Sequence, residues 1–333
     1  MIADAVPAGP LVVTYDLSRR SLTIVEEELG GAGEAVYLRD LGAGERAAAL
    51  RGAGALLAYN TSVELAPEEL PLIAAARLLQ YTTAGIDWIP LNDLPPGLPI
   101  ACNAGASAEP MAEHILAMTL AAAKRLFVEH EALKRGDFNQ RGQNRMLEGM
   151  VCGILGFGGV GIATARLMRA IGMRVHAINR RGASGERVDW LGTPDRLDDL
   201  LSAADVLVVA TSLTRSSEGL IGARELALMK GDAILVNVAR GEIVDETALY
   251  AHLTAHPDFT ACIDAWWVEP VRHGRFAMSH PFLDLPNVIG SPHNSAGGGV
   301  WRDVSLRRAV ANCRRALLGE TPLHLIGPDE RMM

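Results

Sequence analysis

Cysteine is scarce: four residues in 333, with Cys102, Cys152, Cys262 and Cys313 far apart and neither a CxxC pair nor a Cys/His cluster among them. That pattern speaks against a zinc framework and a disulfide scaffold, and predicts buried thiols, with Cys152 and Cys262 inside strands. No metal is expected. Long apolar runs are missing too, since no stretch approaches the ~20 residues that span a bilayer, so no membrane role is expected. Positive charge is in short supply: 31 Lys and Arg against 39 Asp and Glu leave a net charge of −8, which offers no basic footprint for nucleic acid. Residues 1–10 carry Asp4 and no basic segment ahead of an apolar core, so neither a signal nor a transit peptide is expected, and the expected compartment is the cytoplasm. What is there is a 49% hydrophobic chain long enough for two α/β domains, whose expected partner is a small molecule.

Residues 1 to about 102 alternate short apolar runs with helix-like stretches. The runs Leu11 to Tyr15, Ala35 to Leu38, Ala55 to Tyr59, Leu78 to Tyr81 and Pro99 to Cys102 predict a small parallel α/β sheet. Between them, Arg19 to Leu29 and Pro67 to Ala76 read as helices, the first ended by Gly30-Gly31-Ala32-Gly33. Glu109 to Phe127 repeats apolar residues at helical spacing and predicts one long helix bridging two domains. After the polar segment Arg135 to Arg145 come six strand-like runs: Val151 to Leu155, Arg174 to Ile178, Asp205 to Ala210, Ala233 to Val238, Thr260 to Ala265 and Asn287 to Ile289. Six strands with intervening helices are what a doubly wound dinucleotide domain requires.

Gly156-Phe157-Gly158-Gly159-Val160-Gly161 satisfies GxGxxG directly after a strand and at the start of the apolar helix Val160 to Ile171. Gly156 permits the tight turn, Gly158 admits a pyrophosphate to the backbone, and Gly161 lets helix and strand pack closely; the helix N-terminus supplies N–H groups and positive potential. At the end of the next strand, where an acid would bind the adenosine ribose, stand Asn179, Arg180 and Arg181. An amide tolerates a 2′-phosphate and a guanidinium can bond to it, so NADP is the expected coenzyme, with NAD the alternative if the two arginines are only solvated loop charges.

Downstream lie Arg240, Glu269 and His293, each just past a predicted strand, at the sheet edge where ligands bind in this architecture. Reduction of a 2-keto acid needs a hydride from the nicotinamide, a proton for the developing alkoxide, and positive charge to fix the carboxylate and polarise the carbonyl. Arg240 supplies the charge, His293 the proton, and Glu269 can stabilise the protonated imidazole. Pro292 holds Ser291 extended.

The chain resembles the D-isomer-specific 2-hydroxyacid dehydrogenases, and is similar to glyoxylate and hydroxypyruvate reductases among them. The resemblance runs over nearly the whole length and is carried by Ala84-Gly85-Ile86-Asp87, Met111-Ala112-Glu113-His114, Gly156 to Gly161, Leu235 to Gly241 with Ile243-Val244-Asp245-Glu246, and Pro292-His293. It implies that Arg240 binds substrate, Glu269 orients His293, and His293 exchanges the proton. It also implies that Asp264 binds the nicotinamide carboxamide, that the amides of Ala84 and Gly85 hold the substrate carboxylate, and that Thr211, Ser212 and Val238 line the coenzyme beside Gly159 and Val160. The implied fold is a Rossmann domain, 103–293, plus a discontinuous flavodoxin-like substrate domain, 1–102 and 294–333, with hinges near 102 and 293 and a homodimer through the nucleotide domain.

Departures from the family pattern bear on substrate. Asn294 and Ser295 follow the histidine where an apolar residue is frequent, Ser212 replaces a proline, and Trp266-Trp267 follow Asp264. Trp267 packs in the plainer reading, or closes over an apolar substrate. Formate dehydrogenases resemble the family but carry glutamine in place of the glutamate, so Glu269 argues against formate oxidation. His114 reads as a packed or capped side chain. The expected activity is reduction of a small keto acid such as glyoxylate or hydroxypyruvate; the alternatives are a short NAD-linked phosphoglycerate dehydrogenase, for which no second basic cluster awaits a phosphate, and a dinucleotide-sensing corepressor-like protein.

Overall fold

A computed structural model describes residues 9–297 and 299–327, so most of the N-terminal decapeptide and the end of the expected 294–333 segment lie outside the described residues. The chain divides into two compact units: residues up to Ala106 with those after Gly297, and Ser107–Gly297. The crossings thus fall four residues beyond the expected 102 and 293.

In the first unit β1 (Leu11–Val13), β2 (Ala35–Tyr37), β3 (Ala55–Ala58), β4 (Leu79–Tyr81) and β5 (Ile100–Ala101) form a parallel sheet in the order β2-β1-β3-β4-β5. That is the flavodoxin-like order. The helix Arg19–Leu29 has the expected bounds: the Ser18 hydroxyl accepts from Ser21 N at 3.2 Å, and Gly30 ends the helix in the left-handed region, φ +54°. Its Ile24, Val25 and Leu29 pack with Leu306, Val310 and Cys313 of the C-terminal helix Gly299–Leu317, so the chain's return completes this unit's core. Pro67 to Ala76 is not an α-helix. Only a 3-10 turn, Leu70–Ile73, forms there, because Pro71 has no N–H for the α-helical ladder and its ring crowds the preceding carbonyls.

The second unit holds seven parallel strands: β6 (Val151–Leu155), β7 (Arg174–Ile178), β8 (Trp190–Gly192), β9 (Val206–Val209), β10 (Ile234–Asn237), β11 (Thr260–Ile263) and β12 (Val288–Gly290). They run in the order β12-β11-β10-β9-β6-β7-β8, every neighbouring pair parallel. The order reverses between β6 and β9, and ligands of such sheets bind outside the strands' carboxyl ends at that switch point. Strands β6, β9 and β10 are buried at every position, as expected of parallel strands covered on both faces. One strand more than expected is present: β8 pairs with β7 through Ile178↔Gly192, and its three residues give no readable apolar run.

The expected bridging helix is two helices, Ala108–Ala123 and Leu126–Lys134. Arg125 separates them in the left-handed region, φ +54°, where no α-helix can continue. The first buries Ile115, Met118, Ala122 and Ala123 against β6, β9 and β10, whereas the second buries no residue. Cys152, Cys262 and Cys313 are fully buried, and burial pushes the thiols of Cys152 and Cys262 up to about 12; Cys102 is only half-buried. No helix among the described residues is long and apolar enough to cross a membrane.

Candidate active site

The glycine turn after β6 is built by exclusion. Gly156 has φ +106°, and a Cβ there would lie 2.5 Å from the amide nitrogen of Thr211 and 2.6 Å from the carbonyl carbon of Ala210. A Cβ on Gly161 would lie 2.5 Å from the Gly156 carbonyl oxygen, so the helix Gly159–Ala170 reaches this close to the turn only without side chains. Around the Cβ position of Gly158, by contrast, nothing lies within 4 Å. Open space in front of a twelve-residue helix's N-terminal amides fits a pyrophosphate group, so the residues present suit a dinucleotide.

Next to this turn, the expected coenzyme contacts differ in what they expose. Asn179 is half-buried, with its amide donating to Ala183 O at 3.0 Å and its carbonyl accepting from Arg181 N at 3.0 Å; Arg180 and Arg181 are exposed. Asn179 therefore shapes the loop that presents the two arginines. Thr211 is half-buried and Ser212 exposed, while Val238 is 1% exposed inside the core, leaving only its backbone for a ligand.

Arg240 follows β10 in a turn that Asn237 organises, accepting from Ala239 N at 3.1 Å and donating to Arg240 O at 2.8 Å. Gly241 then lets two loops meet: its Cβ would stand 2.4 Å from Trp266 C and Trp267 N. The close approach sets the Arg240 loop against the segment that carries Glu269. Glu269 is 8% exposed at its side chain and holds the Nδ1 of His293 with both carboxylate oxygens at 2.8 Å, while accepting from Trp266 N at 2.7 Å. Burial raises the Glu269 carboxyl, but the bonds from His293 and the Trp266 amide, together with the charges of His293 and Arg240, outweigh it and hold the group below its ordinary value. A carboxylate kept ionised against one ring nitrogen leaves the other, Nε2, as the atom able to exchange a proton. The structure thus brings Arg240, Glu269 and His293 to one edge of the second unit's sheet. Ala84 and Gly85 stand in the first unit, in the turn after β4, where Gly85 O accepts from Trp88 Nε1 at 3.3 Å.

The Asp264 side chain has no accessible surface, and its oxygens accept from Ser291 Oγ at 2.5 Å, Asn294 N at 3.1 Å and Ser295 N at 3.2 Å. Through these bonds it organises the turn on which His293 sits. Trp266 and Trp267 both pack. Trp266 is 3% exposed and bonds Ser291 O at 2.8 Å, and Trp267 bonds Val244 O at 2.7 Å and stacks on Phe282. Ser291, just past β12 and held extended by Pro292, carries no signal in the sequence for its bonds to Asp264 and His114.

Comparison with known proteins bears on the family and the fold. The model of the family described as "D-isomer specific 2-hydroxyacid dehydrogenase, NAD binding domain" matches residues 116–295. The chain is 34% identical over 223 residues to a D-3-phosphoglycerate dehydrogenase of Archaeoglobus fulgidus, a match covering 66% of this chain and 41% of that protein. It is 32% identical over 226 residues to glyoxylate/hydroxypyruvate reductase B of Pectobacterium carotovorum, covering 66% and 69%. Among solved structures, a candidate formate dehydrogenase from Pyrobaculum aerophilum superposes with a TM-score of 0.79 at 28% identity, over 97% of this chain and 99% of that one.

Proposed function

Because the chain belongs to the D-isomer specific 2-hydroxyacid dehydrogenase family, we propose that it reduces a small 2-keto acid, of the glyoxylate or hydroxypyruvate kind, to the D-2-hydroxy acid with a nicotinamide coenzyme. The observation that carries this reading is the imidazole of His293 held at 2.8 Å by both oxygens of Glu269, beside the Arg240 loop at the sheet's carboxyl edge. The coenzyme, when bound, supplies the hydride to the keto carbon. Arg240 binds the substrate carboxylate and polarises its carbonyl, His293 Nε2 gives a proton to the alkoxide oxygen, and Glu269 stabilises the imidazolium before transfer. The amides of Ala84 and Gly85 take the carboxylate from the substrate domain, residues 1–102 and 294–333 by the family's division. Glu269 argues against formate oxidation.

NADP is the coenzyme we infer, on Asn179, Arg180 and Arg181: no carboxylate follows β7 to repel a 2′-phosphate, and the Asn179 bonds shape the arginine loop. A homodimer through the nucleotide domain is the assembly we infer. The helix Leu126–Lys134 buries nothing, and Leu126, Phe127, Leu133, Phe138 and Met146 are all more than half exposed. Such exposed apolar side chains on and after one helix suit a second copy, and light scattering would report the mass. We place the protein in the cytoplasm.

The test is coenzyme oxidation over a panel of 2-keto acids including glyoxylate, hydroxypyruvate and 3-phosphohydroxypyruvate. Turnover with an unphosphorylated keto acid supports the reading, and a preference for the phosphorylated one moves it to the phosphoglycerate alternative. Tight coenzyme binding with no turnover on any member would overturn it in favour of a dinucleotide sensor.

A further inference from the structure

Among the described residues, three that are not glycine have positive φ: Arg125, His324 and, at +50°, His293. A left-handed conformation costs an L-residue about 1–2 kcal/mol, so the surrounding contacts must hold it. They lie in the turn 291–297. Ser291 N donates to Ile263 O at 2.9 Å and Trp266 Nε1 to Ser291 O at 2.8 Å ahead of His293, and the amides of Asn294 and Ser295 donate to Asp264 after it.

The hydroxyl of Ser291 joins that turn to a helix far away in sequence. It lies 2.5 Å from Asp264 Oδ1 and 3.0 Å from His114 Nε2, and His114 sits on the helix Ala108–Ala123, with its side chain 25% exposed. Proton accounting fixes the direction of both bonds. A carboxylate that already receives two backbone N–H groups can only accept, so the single hydroxyl proton goes to Asp264. The lone pair then faces His114, whose Nε2 must carry hydrogen. His114 thereby aims the hydroxyl, the hydroxyl completes the ligation of Asp264, and Asp264 clamps the two amides that follow His293.

Building on the keto-acid reductase reading above, we propose that His114, Ser291 and Asp264 form a positioning relay that holds the His293 imidazole in its left-handed pose against Glu269. None of the relay's residues touches the reacting atoms. The groups that act on His293 electrostatically are Glu269 directly, Arg240 through Glu269, and Asp264 and His114 through the turn. Loosening the relay weakens the Nδ1–Glu269 contact, the bond that favours the protonated ring.

Two pairs of variants test this. Ser291→Ala and His114→Leu remove the hydroxyl and the ring N–H; Ser291→Thr and His114→Gln keep a hydroxyl and an N–H donor. We expect the first pair to lower kcat about tenfold with KM for the coenzyme unchanged, the scale of a displaced catalytic group, and to move the alkaline limb of the pH profile to lower pH. The second pair should restore both. Parental kcat and pH profile in Ser291→Ala and His114→Leu would overturn the relay. So would equal losses in all four variants, the result of packing damage alone. NMR titration of His293 in the full chain reads the same shift without substrate, so a protein that reduces no keto acid would sink the functional reading while leaving the relay decided by the titration.

Discussion

Two turns at the carboxyl edge of the second unit's sheet both adopt positive φ, and they hold it by opposite means. After β6, Gly156 reaches +106° because it has no side chain, and backbone atoms at 2.5–2.7 Å from its Cβ position forbid one. After β12, His293 takes +50° with a full imidazole, because Trp266 donates a hydrogen bond ahead of it, Asp264 accepts one after it, and Glu269 holds the ring itself. The difference follows from what each turn must do. A turn that admits a phosphate to its amides gains by being empty, whereas one that delivers a proton must carry a side chain and support it.

Removing the side chain from the supported turn should have the largest effect. His293→Ala is expected to lower keto-acid reduction by about 10²-fold or more, the scale of general acid catalysis, with coenzyme affinity close to parental. Steady-state rates beside a coenzyme fluorescence titration check both halves. Near-normal turnover would remove the imidazole from the chemistry.

Adding a side chain to the empty turn should come next. Gly156→Ala places a methyl against Thr211 N and Ala210 C in a conformation alanine resists, so a loss of about 1–3 kcal/mol in stability is expected, with weaker coenzyme binding as the turn shifts. Urea midpoints read the first. At Gly158 nothing lies within 4 Å, so Gly158→Ala should leave stability nearly unchanged while still weakening coenzyme binding, which separates steric closure from ligand access.

These two turns also mark what the sequence discloses and what it conceals. The glycine turn is a local pattern, legible because its glycines stand within six consecutive residues directly after a strand and at the start of a helix. Strand β6 falls on its expected bounds for a similar reason, since a buried parallel strand is an uninterrupted apolar run, and β7 does so although Arg174 and His176 interrupt its apolar residues. The left-handed φ of His293 leaves no trace in Pro292-His293-Asn294, and the relay joins residues 114, 264 and 291, which only the fold brings together. Local signals can also mislead. The apolar spacing of Glu109 to Phe127 continues past Arg125, where the backbone breaks, and Pro67 to Ala76 looks helical until Pro71 is weighed as a missing donor. Resemblance points Asp264 toward the coenzyme, and nothing in the sequence discloses its bonds to Ser291, Asn294 and Ser295 in the turn.

Coenzyme choice extends the comparison to the loop after β7, whose amide shapes a surface rather than a core. A guanidinium on a 2′-phosphate adds ~1.5–3 kcal/mol, roughly tenfold to hundredfold in affinity. KM for NADPH is therefore expected below that for NADH, and Asn179→Asp combined with Arg180→Ala should reverse the order. Equal or better kcat/KM with NADH in the parent would return both arginines to solvated loop charges.

The smallest expected effect concerns Glu269, whose ionised form supports the His293 turn. Its carboxyl is held below its usual 4.5 in the folded protein because the bonds from His293 and Trp266 and the nearby positive charges outweigh burial. A depressed native pKa means that the unfolded chain binds the proton more readily, so the contribution to stability is fully present above the unfolded value and is lost as pH falls through the folded one. Each unit of depression is worth about 1.4 kcal/mol. Glu269→Gln removes this titration but leaves a side chain of the same shape, so the stability gap between parent and variant should be wide at pH 5.5, above the carboxyl's unfolded value, and narrow toward pH 3. Urea midpoints at the two pH values measure the gap. A gap that stayed constant would mean that the Glu269 carboxylate contributes through its shape alone, and the turn carrying His293 would then rest on Asp264 and Trp266 without electrostatic help from Glu269.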